Sequence, residues 1–154
     1  MRGVLTAHVL VFIHVGSRKV FCSPPTYHPD GEWVMQQARN ASMWLQDEEL
    51  DVRYVIHDLD RKYPNVFREF WRSEGARCIP IPIGAPKANA FTETFGETLK
   101  RECWNHFICF SPEQLRHINH EWLDHYNNLR PHRGVGRDNT VLDDKFVPMS
   151  EGTV

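Results

Sequence analysis

The sequence predicts an α/β fold, a mixed sheet with helices packed on both faces. Three observations lead there. The run Val9-Leu10-Val11-Phe12-Ile13-His14-Val15 is continuously apolar over a strand's length, so both of its faces need cover. A second run, Val52-Arg53-Tyr54-Val55-Ile56-His57, is β-branched and aromatic and stops at the polar cluster Asp58-Leu59-Asp60-Arg61-Lys62. Between and after these runs, apolar residues recur at helical spacing. At 154 residues the chain has the length of one domain and can bury a sizeable core.

The elements follow in order. Gly16-Ser17-Arg18 punctuates the first apolar run before Lys19-Val20-Phe21-Cys22, which predicts a hairpin. His14 reads as a core or edge histidine. After Pro24 and Pro25 a helix is expected with Val34, Ala38, Ala41 and Leu45 on one stripe, widened by Trp33 and Trp44 and capped by Asp30. The acidic run Asp47 to Asp51 reads as a solvated loop, because like charges repel when packed. Beyond Asp58, the spacing of Val66, Phe67, Phe70 and Trp71 gives a second helix closed by Gly75. The strand Ala76 to Ile81 contains Pro80, which cannot donate to a ladder and so predicts a sheet edge. Phe91, Phe95 and Leu99 then recur every four residues on a helix beginning near Ala88, leaving Glu93 off the apolar stripe. A last helix opens at Ser111 with Pro112 in its first turn and Gln114 three residues on, a capping-box pattern, and carries Leu115, Ile118, Trp122 and Leu123. Residues 141–154 are expected to form a loose tail.

Composition narrows the function classes. The longest apolar run is far too short to span a bilayer. Cys22, Cys78, Cys103 and Cys109 form no Cys-x-x-Cys pair and read as free thiols, and Cys103-x-x-His106 lacks the second pair of ligands that zinc requires. A net charge of −2 is not that of a dedicated nucleic-acid binder, so any basic surface must be local. Arg130, His132 and Arg133 supply cations that could track a phosphate backbone, although a mixed solvated face accounts for them too.

Asp58, at a strand end, and Glu93, on a helix, can meet in space and hold a hard cation through oxygen. The run Pro86-Lys87-Ala88-Asn89-Ala90-Phe91-Thr92-Glu93-Thr94-Phe95, then Leu99-Lys100-Arg101-Glu102-Cys103, and later His125-Tyr126-Asn127-Asn128-Leu129-Arg130-Pro131-His132-Arg133, resembles the catalytic core of the Asp-Asp-Glu integrase and transposase family. The resemblance implies a ribonuclease-H-like mixed sheet over residues 1–140, with Asp58 and Glu93 as catalytic and metal-binding carboxylates for a pair of Mg²⁺ or Mn²⁺ ions. It also implies DNA contacts at Lys87, Asn89, Lys100, Arg101, Arg130, His132 and Arg133. The implied partners are mobile-element ends and target DNA, with homo-oligomers when full length, no membrane, and a cytoplasmic, nucleoid-associated location.

One departure matters. The family's first Asp lies on a strand preceding Val9–Val15, and no Asp or Glu precedes Asp30 here. The core is therefore expected to be N-terminally incomplete and its central strand missing, so that the Val9–Val15 and Val52–His57 strands either pair directly or stay as aggregation-prone edges. The activity implied is metal-dependent phosphodiester cleavage and strand transfer, with this chain expected to be inactive. The alternatives are a non-catalytic remnant that keeps DNA or subunit contacts, and a ribonuclease-H-like nuclease unrelated to transposition.

Overall fold

The computed structural model describes residues 6–58, 65–81, 90–130 and 147–153. In chain order these form β1 (His8–Ile13), β2 (Val20–Cys22), α1 (Gly31–Asp47), β3 (Tyr54–Asp58), α2 (Asn65–Ser73), β4 (Arg77–Ile81), α3 (Ala90–Glu102), a 3₁₀ turn (Trp104–His106), α4 (Pro112–Asn128) and β5 (Val147–Thr153). The strands make one five-stranded mixed sheet in the order β2-β1-β5-β3-β4.

Successive residues of β1 point to opposite faces, and both faces are buried. Leu10 and Phe12 join Val34, Ala38, Leu45, Phe67 and Trp71 of α1 and α2 on one side. Val9, Val11 and Ile13 join Phe95 and Leu99 of α3 on the other, with Ile118, Trp122 and Tyr126 of α4 packed against them. This is the two-sided cover that a doubly apolar strand demands.

The local signals act as expected. Asp30 caps α1 by accepting from Trp33 N at 2.8 Å, and Gly75 takes φ +86° after α2. Ser111 caps α4, accepting from Gln114 N at 3.2 Å. The returning Gln114 Oε1 accepts from Phe110 N at 2.9 Å, so the capping box closes one residue outside the expected position. The strand β4, with Pro80, lies at a sheet edge.

Two expectations are corrected. Within the stretch expected as a loose tail, Val147–Thr153 form β5 at the centre of the sheet. It pairs antiparallel with β1, from His8↔Thr153 to Phe12↔Met149, and parallel with β3 at Val55↔Val147 and Ile56↔Pro148. The strands β1 and β3 therefore neither pair with each other nor stand as bare edges, because β5 takes up ladder groups on both. The second correction is Phe91. Phe95 and Leu99 are buried, but Phe91 is 41% exposed and lies under a guanidinium rather than in the core.

Candidate functional site

The backbone of Asp58 closes β3, and Glu93 lies in the first turn of α3, where the helix dipole favours a carboxylate. Glu93 is exposed, as its position off the apolar stripe requires. His57, beside Asp58, is 1% exposed and packs edge-on against Phe67 with ring centroids 5.5 Å apart. Among the described residues no group of three or more His, Cys, Asp or Glu is arranged to hold a metal ion. The donors that Asp58 and Glu93 offer are oxygens, the type Mg²⁺ takes.

Lys100 and Arg101 are exposed on α3, and Arg101 donates to Glu102 at 3.3 Å. Lys87, Asn89, His132 and Arg133 lie outside the described residues. Arg130 is held on two sides. Its Nη1 and Nη2 both reach Glu102 of α3, the latter at 3.0 Å, and its guanidinium carbon lies 5.4 Å from the centre of the Tyr126 ring. Burial pushes the Glu102 carboxyl up, but hydrogen bonds from Arg130 and Arg101 outweigh it and leave the group below its ordinary 4.5. A depressed carboxyl contributes stability above its unfolded value that is lost as pH falls through the folded one, so this clasp weakens in acid. A phosphate approaching Arg130 competes with Glu102.

The clasp continues inward. Tyr126 packs edge-on to Phe95 at 5.2 Å and beside Trp122 at 5.0 Å, tying α4 to the helix that carries Glu93. The next residue, Asn127, had no role in the sequence reading beyond its place in the His125–Arg133 run. Its Oδ1 accepts from Val20 N and its Nδ2 donates to Val20 O, both at 2.8 Å. The side-chain amide thus stands in for a neighbouring strand along β2. Substituting Asn127→Ala orphans a donor and an acceptor on a buried residue and is expected to cost about 1–3 kcal/mol in urea unfolding. A loss under ~0.5 kcal/mol would show that water replaces both bonds.

The cysteines are free thiols. Burial raises Cys22 to about 12 and Cys78 to about 11, which leaves both protonated and unreactive at neutral pH. His106 Nε2 lies 3.0 Å from the Arg101 carbonyl, so its ring serves the local backbone.

On this mixed α/β framework, residues 74–138, which include α3, Glu93 and α4, match the family model described as integrase core domain. Over 109 residues the chain is 34% identical to an uncharacterized 39.2 kDa protein of insertion element IS476 from Xanthomonas euvesicatoria. That match covers 59% of this chain and 32% of the relative, so the chain spans about a third of the relative's length. Together the two findings support the integrase and transposase catalytic core family for this chain. No helix among the described residues is long and apolar enough to cross a membrane.

Proposed function

We propose that the chain is a transposase or integrase catalytic core segment on a ribonuclease-H-like sheet, acting on DNA phosphodiesters through Asp58 and Glu93. The observation that carries this reading is the integrase-core match over residues 74–138, which contains Glu93 exposed on the first turn of α3. Asp58 supplies the carboxylate at a strand end, and Lys100 and Arg101, farther along α3, supply cations for the polyanion. Bound Mg²⁺ or Mn²⁺ would activate the attacking oxygen and stabilise the leaving one. The partners are mobile-element ends and target DNA, and the location is the nucleoid.

A second reading is a DNA-binding or subunit-binding fragment that does not cut. Mg²⁺-dependent nicking and joining of element ends separates the two when this chain is compared with Glu93→Gln and Asp58→Asn. A catalytic core loses at least ~10²-fold in rate in either variant, consistent with removal of transition-state charge stabilisation. DNA binding without nicking selects the second reading, and equal nicking by all three proteins would remove both carboxylates from the site.

A further inference from the structure

The turn between β1 and β2 is built by its own side chains. His14 Nδ1 accepts from Ser17 N at 3.1 Å and lies 2.8 Å from Ser17 Oγ. That oxygen accepts from Lys19 N at 3.3 Å, and Arg18 N donates to the His14 carbonyl at 2.8 Å. Between these bonds Arg18 is held at φ +63°, the left-handed region that non-glycine residues occupy only under constraint. Its guanidinium carbon stands 4.0 Å above the centre of the Phe91 ring, on the first turn of α3. Stacking uses one flat face of the guanidinium and leaves its in-plane N–H donors unused by that contact. The pair borders a cavity of about 280 Å³ that also reaches Thr94, Thr98 and Tyr126.

Three other cations have carboxylate partners: Lys19 has Glu48, and Arg101 and Arg130 have Glu102. Among the described residues Arg18 has none. Burial lowers its pKa, an effect that Tyr126 partly opposes. A partly desolvated cation without a counter-charge is unfavourable, and so is its left-handed backbone. Core packing offsets neither, since Phe91 remains exposed at the surface. An arriving anion would find a donor already oriented and already stripped of part of its water.

We propose that Arg18 contacts a phosphate of the bound nucleic acid, so that the interface extends from α3 to the β1–β2 turn. This rests on the DNA reading above. The test is fluorescence anisotropy of a labelled duplex titrated with this chain and with Arg18→Gly and Arg18→Lys at several salt concentrations, alongside thermal melts of each protein. Loss of one phosphate contact lowers the slope of log affinity against log salt by about 0.9. Arg18→Gly should show that lower slope together with an unchanged or higher melting temperature, since glycine relieves the left-handed backbone. Arg18→Lys should retain the slope. A residue that only covers Phe91 would leave the slope where it is in Arg18→Gly, and that result overturns the proposal. If this chain itself binds no duplex at low salt, the DNA reading fails and the proposal falls with it. Competition by poly-glutamate as strong as by DNA, abolished in Arg18→Gly, would reassign the contact to acidic protein partners and overturn the phosphate assignment.

Discussion

A chain ending at Phe146 is expected to lose its cooperative unfolding transition. The strand it gives up, β5, lies between β1 and β3 and pairs with five residues of β1 and two of β3. Those strands carry fully enclosed side chains, with Val9 and Leu10 at 0% exposure and Val55 at 1%. Each ladder bond contributes about 0.5–1.5 kcal/mol net, while each buried group left unpaired costs about 1–3 kcal/mol. Several such losses together are comparable with the whole stability of a domain, about 5–15 kcal/mol. The two newly bare edges would also seed edge-to-edge association. Thermal melts followed by circular dichroism, with size-exclusion chromatography, compare the short and full chains. A short form that is monomeric and melts at the same temperature would show that β5 is not needed to hold β1 and β3.

Trp71→Ala should be the most damaging single core substitution on the helical layer formed by α1 and α2. The indole is 2% exposed, and its ring centroid lies 6.2 Å from that of Phe12, 6.3 Å from Phe67 and 5.4 Å from Phe70. Removing a large aromatic from such a cluster costs about 3–5 kcal/mol. Trp71→Phe should cost less than half as much. Its smaller ring keeps most of the packing, and it removes an Nε1–H that is buried without an acceptor among the described residues. Urea unfolding monitored by far-ultraviolet circular dichroism measures both. Equal losses in the two variants would mean that the smaller ring keeps none of the packing.

The features that the sequence by itself determined are those whose cause lies within a few residues. Asp30 and Ser111 cap helices because each accepts from a backbone N–H three residues on. Gly75 ends α2 because it alone takes the left-handed turn there without strain. Pro80 goes to an edge because it has no N–H to donate. The doubly apolar β1 requires helices on both faces, and the order of the motifs around Glu93 and Asn127 points to the integrase core before any coordinates. The tertiary structure decided what depends on distant partners. Val147-Pro148-Met149-Ser150-Glu151-Gly152-Thr153 does not look like a central strand, since proline, glutamate and glycine disfavour one. It becomes one because β1 and β3, more than eighty residues away along the chain, offer paired ladders on both sides. Phe91 keeps the helical spacing of a core residue, yet Arg18 of the hairpin turn covers it. Arg130 carries a charge that any sequence reading offers to phosphate, but Glu102, 28 residues earlier, engages it first. The amide of Asn127 completes β2 across 107 residues. Local chemistry sets what each residue can do, whereas the fold sets which partner it meets, and at these four positions the partner decides the role.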